Sequence, residues 1–196
     1  MCEKERIKQQ KKELRKELLA RRNSLSPQEY EQKNRAILEL VWHFEPIQKA
    51  EVIHTYAAMR DRHEVDTIML LQRIIAAGKT VVCPRVKQES GALEHIKIES
   101  AGQFIVNGWG VPEPAGDKLL ENLEEIDVVI VPLAGADLQK QRIGYGKGYY
   151  DRFLSSISAT KIGLLFDCCL LRDREIPTES HDIPLDVLIT EQEVID

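Results

Sequence analysis

The sequence has no long apolar run, no internal repeat and no low-complexity linker among its 196 residues. Because no run approaches the length that spans a bilayer, we expect no membrane partner. The chain is charged from residue 3 onward, which excludes the apolar segment of a secretory signal peptide. These absences predict a cytoplasmic protein, and the length suits one domain, residues 1–196.

Cysteine is also scarce, and no two cysteines have Cys-x-x-Cys spacing. Two of the four, Cys168 and Cys169, are adjacent, an arrangement that rarely chelates one metal. The pattern therefore predicts reduced thiols and no zinc site. Cys83 lies in an apolar run and is predicted to be a small core residue.

The net charge of −5 conceals an asymmetry between the ends of the chain. Residues 1–22 carry nine Lys/Arg and four Asp/Glu, a local charge of +5, which leaves −10 for the remainder. A basic helix on an acidic body indicates either a site for an anion or a solvated charged surface. Charge alone does not decide between these two interpretations.

Hydrophobic periodicity predicts alternating helices and strands. Helices are expected over 4–22, 27–44, 65–77 and 150–157, with Ser26 as an N-cap and Gly78 ending the third. Strands are expected over 52–56, 80–83, 93–98, 127–131, 161–166 and 186–190, and a long loop over 107–116. Alternation of this kind is typical of an α/β domain with a mostly parallel sheet.

The segment Arg142-Ile-Gly-Tyr-Gly-Lys-Gly-Tyr-Tyr-Asp151 carries the clearest chemical signal. Its alternating glycines, Gly144, Gly146 and Gly148, allow the backbone to approach an anion closely. Lys147 and Arg142 add positive charge, and the head of the predicted helix adds backbone N–H groups. We call residues 142–151 the glycine segment and predict that it binds phosphate; a flexible surface turn is the weaker alternative.

Asp151 stands where it would oppose an anion unless a cation lies between the two. Mg²⁺ is suited to that position because it binds one or two carboxylates together with phosphate oxygens. Asp182, before the last strand, is a possible second ligand. The alternatives remain a favourable helix N-terminal acid for Asp151 and a simple turn for His181-Asp182.

Other positions carry weaker signals. Lys11 and Arg15 lie four residues apart on one helical face, with Arg22 seven further along. Glu64 could meet a ligand at the end of a strand or merely begin a helix. Trp109 could stack on a flat heterocycle or cover the core.

Taken together, these motifs resemble the 5-formyltetrahydrofolate cyclo-ligase family over nearly the whole chain. The glycine segment extended to Phe153 is the most specific part of the resemblance. The weaker parts agree in order and spacing: Lys11-Lys-Glu-Leu-Arg15, Arg22 to Ser26, Glu64-Val-Asp66, Gly78-Lys79 leading to Pro84, Trp109 to Glu113, Val131-Pro132, Asp137, and Asp182 to Asp186. Leu133 departs from the pattern, because many relatives have Gly there.

The resemblance implies a three-layer α/β/α domain around a mixed sheet and an ATP- and Mg²⁺-dependent ring closure of a reduced folate. It implies that ATP phosphates are held by Lys11, Arg15, Arg142, Gly144, Tyr145, Gly146, Lys147, Gly148, Tyr149 and Tyr150. It implies Mg²⁺ ligation by Asp151 and Asp182, and a folate pocket lined by Met59, Glu64, Trp109, Tyr145 and Tyr149. Within this set, Lys147, Arg142 and Tyr149 are expected to act in catalysis.

Two other functions remain open at this point. A sugar-phosphate isomerase-like protein would bind phosphate without ATP and would not use Asp151 for a metal. An RNA- or partner-binding module would use the basic N-terminal helix, but it would leave the glycine segment without a purpose, and the acidic body disfavours it. We expect no nucleic-acid partner, and a monomer or weak dimer.

Overall fold

The computed structural model describes residues 2–87 and 92–196. Its α-helices are α1 (Glu3–Asn23), α2 (Pro27–His43), α3 (Glu45–Lys49), α4 (Ile68–Ala76) and α5 (Tyr149–Leu154). Its strands are β1 (Val52–His54), β2 (Thr80–Val86), β3 (Leu93–Ile98), β4 (Phe104–Val106), β5 (Pro112–Pro114), β6 (Val128–Val131), β7 (Gly135–Asp137), β8 (Arg142–Ile143), β9 (Thr160–Leu164), β10 (Leu170–Leu171), β11 (Val187–Ile189) and β12 (Val194–Ile195). Short 3-10 helices cover Arg60–Arg62, Leu123–Glu125 and Asp167–Cys169.

Seven strands form the central sheet, in the order β12-β11-β9-β6-β1-β2-β3. The five central strands are parallel, whereas β12 and β3 pair antiparallel at the two edges. This arrangement confirms the predicted mixed, mostly parallel sheet. Strand β6 is buried at every residue, as its run of β-branched residues predicts for a strand covered on both faces.

Alternate residues of the strands point into two separate cores. In β6, Val128 and Ile130 join the core under α2 and α4, whereas Val129 and Val131 join the core under α1 and α5. Two helical layers around one sheet give the predicted α/β/α architecture. Leu18 of α1 is fully buried in the second core, so the basic N-terminal helix is packed against the body of the protein.

Local signals account for several boundaries. The hydroxyl of Ser26 accepts a hydrogen bond from the backbone N–H of Glu29, with Pro27 in the first turn, as the sequence predicts for the start of α2. Gly78, with a φ of 80°, follows the end of α4. No helix in the described part of the chain combines the length and apolarity needed to cross a membrane.

Two predictions are wrong for the same reason, since long-range pairing extends or creates strands. β2 continues through Pro84, although proline has no backbone N–H. Only β3 pairs with this part of β2, so the side of the strand without a partner can accommodate the missing N–H. The predicted loop 107–116 is largely a hairpin, in which β5 pairs with β4. We call residues 104–114 the proline hairpin.

Two helices are shorter than predicted. α4 begins at Ile68 rather than Val65, because residues 64–67 are held by side-chain contacts outside the helix. α5 ends at Leu154 rather than Ile157. The chain before α5 is also more ordered than a loop, because β7 pairs with both β8 and β10 in a small second sheet.

Cys83 is a core residue, as the sequence predicts. All four cysteines are free, and Cys83 is fully buried in the core. The Sγ atoms of Cys168 and Cys169 lie 3.9 Å apart. Across residues 2–87 and 92–196, no group of three or more His, Cys, Asp and Glu side chains is arranged to hold a metal ion.

Candidate active site

The direction of strand addition reverses between β1 and β6. From β1 the chain builds outward through β2 and β3, and from β6 it builds the other way through β9 and β11. In an open α/β sheet, the crevice beyond the carboxyl ends of the strands at such a reversal is the usual ligand site. The segments that leave these two ends, residues 55–67 and 132–148, contain Glu64 and most of the glycine segment.

The glycine segment is anchored at its start by a buried aspartate. Asp137 accepts backbone hydrogen bonds from Gln139 and Gln141 at 3.0 Å and from Ile176 at 2.7 Å. These bonds close the turn between β7 and β8. The turn therefore delivers Arg142 to the site on a fixed strand, β8.

The middle of the segment uses glycine for a conformational reason. Gly146 and Gly148 have φ values of 88° and 67°, a region that other residues enter only with strain. A Cβ atom on Gly146 would stand 3.2 Å from the guanidinium of Arg15. The backbone at Gly146 is thus packed directly under a cation, and any side chain there would crowd it.

Helix α1 brings two of its basic residues to the same place. The Nε of Arg15 donates to the carbonyl of Gly144 at 2.6 Å, and burial lowers the pKa of this guanidinium. The Nζ of Lys11 lies 2.5 Å from Asp182 and 3.4 Å from Glu179. Lys11 and Arg15 therefore face the interior, which supports the anion-site interpretation of the N-terminal helix over the solvated one for these two residues.

Asp151 and Asp182 are brought close through the residue that follows Asp182. The Oδ1 of Asp151 accepts from Arg142 at 2.5 Å and from the backbone N–H of Ile183 at 3.4 Å. Asp151 also lies in the first turn of α5, so its alternative interpretation as a helix N-terminal acid holds as well. Two carboxylates beside the glycine segment match the donor set of Mg²⁺ in kind, although each is ion-paired with a cation here.

The last residues of the glycine segment face two different environments, the surface and the core. Lys147 is exposed. The guanidinium of Arg152 lies over the ring of Tyr149, 5.5 Å from the ring centroid. Tyr150 points inward against His54 and Phe153, and burial raises the pKa of its phenol. Tyr149 and Tyr150 thus face different surroundings, and Tyr150 packs against the sheet.

Glu64 is buried at the switch point, with 3% of its surface exposed. Its Oε2 accepts from the backbone N–H of Met59 at 2.7 Å, and its Oε1 accepts from the hydroxyl of Tyr145. Burial raises the pKa of this carboxyl, and the hydrogen bonds from Tyr145 and Met59 oppose that rise. Glu64 precedes α4 by four residues, so the interpretation as a helix-starting acid is wrong.

Trp109 lies apart from these contacts, at the turn of the proline hairpin. Its side chain is 66% exposed, and its backbone N–H donates to Asn107 at 3.0 Å. The interpretation of Trp109 as a cover for the core is therefore wrong. Met59 lies closer to the site, half-buried beside Glu64.

Arg22 belongs to the same constellation and was not assigned to it from the sequence. It is 3% exposed, and it donates to the hydroxyl of Tyr145 at 2.9 Å and to the carbonyl of Leu133 at 3.2 Å. A sequence signal exists, because Arg22 lies four residues after Leu18 and seven after Arg15, on the buried face of α1. Leu133 contributes its carbonyl to this contact, and its side chain is buried.

Comparison with known proteins identifies the family of the chain. The model of the 5-formyltetrahydrofolate cyclo-ligase family matches residues 7–191. The 5-formyltetrahydrofolate cyclo-ligase of Escherichia coli is 28% identical over 179 residues, which cover 89% of this chain and 96% of that protein. The mouse protein of the same name is 26% identical, with 92% of this chain and 93% of that protein covered.

The fold of the chain is also similar to that of a solved structure. The NMR structure of Aquifex aeolicus 5,10-methenyltetrahydrofolate synthetase superposes with a TM-score of 0.79 and 28% identity, and the match covers 94% of this chain and 91% of that one. With the site at the switch point and the family model spanning nearly all residues, the chain belongs to the 5-formyltetrahydrofolate cyclo-ligase family.

Proposed function

We propose that this chain converts 5-formyltetrahydrofolate to 5,10-methenyltetrahydrofolate, with consumption of ATP in the presence of Mg²⁺ and release of ADP and phosphate. One observation carries the proposal. In a member of this family, the cations of α1, the glycine segment and a buried carboxylate meet at the switch point of the sheet. We further propose that residues 1–196 act as one domain, with no nucleic-acid partner.

In this proposal, the phosphates of ATP lie along the glycine segment. Lys11, Arg15 and Arg142 would supply positive charge, and the backbone N–H groups between Gly144 and Tyr150 would supply hydrogen bonds. Lys147 would turn toward the phosphates from its exposed position. Support comes from Arg15, which already contacts the segment at Gly144.

Asp151 and Asp182 would hold Mg²⁺ together with phosphate oxygens. Binding a metal there requires their present partners, Arg142 and Lys11, to exchange carboxylate for phosphate. The exchange keeps every charge paired, because each cation gains a phosphate oxygen as it releases its aspartate.

The pterin ring of the folate would bind at Glu64, whose carboxylate accepts hydrogen bonds from the amino-pyrimidine edge. Met59, Tyr145 and Tyr149 would line the pocket, and Trp109 would stack on the ligand from the proline hairpin. Glu64 is suited to this role because it is a buried acceptor whose present donor, Tyr145, has a mobile hydroxyl hydrogen.

Bound ATP supplies a phosphoryl group for the formyl oxygen, which becomes a leaving group so that the folate's 10-nitrogen can close the ring. Phosphoryl transfer asks of the protein chiefly alignment and charge neutralisation. Lys147, Arg142 and Tyr149 would provide both at the transferred group. This requirement explains a site built from Lys, Arg, backbone N–H and Asp, with no nucleophilic Ser or Cys assigned.

The direct test mixes the purified protein, Mg-ATP and 5-formyltetrahydrofolate and follows the longer-wavelength absorbance of the methenyl product. We expect the absorbance to rise only when protein, ATP and Mg²⁺ are all present. No rise, or an equal rise without ATP, would contradict the proposal. A phosphate-binding isomerase-like protein would give neither product formation nor ADP release.

A further inference from the structure

Arg22, Tyr145 and Glu64 form a directed chain of hydrogen bonds from three separate parts of the fold. Arg22 of α1 donates to the Tyr145 hydroxyl at 2.9 Å, and that hydroxyl donates to Oε1 of Glu64. Arginine offers only donors and an ionised carboxylate only acceptors, so the tyrosine must accept from one and donate to the other. With Glu64 ionised, the chain runs in one direction, from Arg22 through Tyr145 to Glu64.

Both ends of this chain are buried, with 3% exposure for Arg22 and for Glu64. An ionised carboxylate in such a place is costly unless a charge of opposite sign is near. Arg22 is the buried cation that meets this need, one phenol away. Removing one member of a buried ion pair destabilises a protein more than replacing both members, because the remaining charge is left uncompensated.

Other groups also face Glu64. Arg62, from the 3-10 helix at 60–62, is an exposed cation whose guanidinium lies 5.9 Å from the centroid of the Tyr145 ring. Tyr30 of α2 donates to the backbone carbonyl of Glu64, and Tyr56, after β1, and Tyr150, in α5, are neutral phenols nearby. Arg22 is therefore the buried cation of this set, and Arg62 is the exposed one.

The effect of Arg22 on titration has a definite sign. Burial raises the pKa of Glu64, whereas the hydrogen bonds from Tyr145 and Met59 and the charges of Arg22 and Arg62 lower it. The pKa of Arg22 is itself pulled down by burial but raised further by Tyr145 and Glu64, so it stays charged. Loss of the Arg22 charge must raise the pKa of Glu64 and protonate it at a higher pH.

We infer that Arg22 is a positioning residue that keeps the buried Glu64 ionised through Tyr145, so that Glu64 accepts N–H donors from the reduced pterin. This inference rests on the proposed function for the identity of the ligand. In the absence of folate, the Tyr145 hydroxyl occupies the carboxylate oxygen that a pterin N–H would take. A protonated Glu64 would turn one of its two acceptor oxygens into an O–H donor, so it would bind the pterin N–H donors more weakly.

The first test needs no substrate. The carboxyl ¹³C signal of Glu64 is titrated by NMR in the wild-type protein, in Arg22→Gln and in the charge-preserving Arg22→Lys. We expect the midpoint to rise by about one pH unit or more in Arg22→Gln and to stay near the wild-type value in Arg22→Lys. Equal midpoints in all three proteins would overturn the inference.

The second test measures 5-formyltetrahydrofolate affinity against pH by calorimetry, with ATP-analogue affinity as the control. The acid limb of folate binding should move to higher pH in Arg22→Gln by the same amount as the NMR midpoint, whereas nucleotide affinity should be unchanged. An unmoved limb would overturn the inference alone. A wild-type protein that does not bind the folate at any pH would instead contradict the proposed function.

If Arg22→Gln does not fold, Tyr145→Phe is tested in its place. Tyr145→Phe keeps the buried arginine and removes the hydroxyl that links it to Glu64. The Glu64 midpoint should then rise as well, because the hydroxyl that stabilises its ionised form is gone. Thermal unfolding of each variant shows whether the titrated state is native. An unchanged Glu64 midpoint in folded Tyr145→Phe would also overturn the inference.

Discussion

The glycine segment and the proline hairpin are both rich in turn-forming residues, yet the protein treats them in opposite ways. Residues 142–151 are fixed by Arg15, Asp137 and an ion pair between Arg142 and Asp151. Residues 104–114 expose Ile105, Val106 and Trp109, each by 64% or more. One region is tied to the core by charge, and the other presents apolar surface to solvent.

The difference teaches that composition does not decide whether a segment is rigid; the partners that the fold supplies decide it. The glycine segment meets a basic helix and two aspartates, so its conformation is set before any ligand arrives. The proline hairpin is held by its own strand pairing and by contacts of Arg85 with the carbonyls of Pro114 and Gly116. In the proposed function, the backbone of the nucleotide side is set before binding, whereas the folate side gains contacts on binding.

Lys147→Ala should have the largest effect. The lysine is exposed, so its removal should leave the fold intact while lowering kcat by about a hundredfold or more, as for other lost transition-state donors. Steady-state kinetics check this, with exposed Lys49→Ala as the matched control. Turnover within about twofold of wild type would remove Lys147 from the catalytic set.

Asp151→Asn should weaken the apparent affinity for Mg²⁺ by at least about tenfold, since even the loss of residues that support a ligand costs 10–100-fold. The rate is measured against total Mg²⁺ at saturating ATP. The control is Asp117→Asn, at an exposed position after the proline hairpin. An unchanged Mg²⁺ dependence would favour the interpretation of Asp151 as a helix N-terminal acid alone.

Trp109→Ala tests the other side of the comparison. Loss of one stacking aromatic costs about 1–3 kcal/mol, so the KM for folate should rise roughly tenfold while the KM for ATP stays the same. The melting temperature should not change, because the ring is 66% exposed. A lowered melting temperature with both KM values unchanged would show that the ring serves stability instead.

Gly146→Ala should give a smaller but distinct effect. A side chain in this left-handed conformation costs about 1–2 kcal/mol, and its Cβ would press on the Arg15 guanidinium. We expect a lower melting temperature and a several-fold rise in the KM for ATP. Gly108→Ala in the proline hairpin is the matched control, because a Cβ there meets nothing within 4 Å. Equal melting temperatures for the two variants would break the comparison between the regions.

Much of the fold could be predicted from the chain because its signals are local. The N-cap at Ser26, the glycine after α4 and the β-branched run of β6 act within a few residues, and each appears where expected. The β4–β5 and β7–β8 pairings could not be predicted in the same way. Their strands are two or three residues long, too short for a period to appear, and they exist because a partner lies beside them.

The sequence by itself determined the family resemblance, the alternation of helices and strands, and the residue types of a phosphate site, since these depend on composition and short-range spacing. Only the tertiary structure decided that Arg22 and Glu64, 42 positions apart, are joined through Tyr145. It also decided that Trp109 is exposed rather than buried. Burial and charge pairing depend on which elements the sheet order brings together, and no local sequence pattern specifies that order.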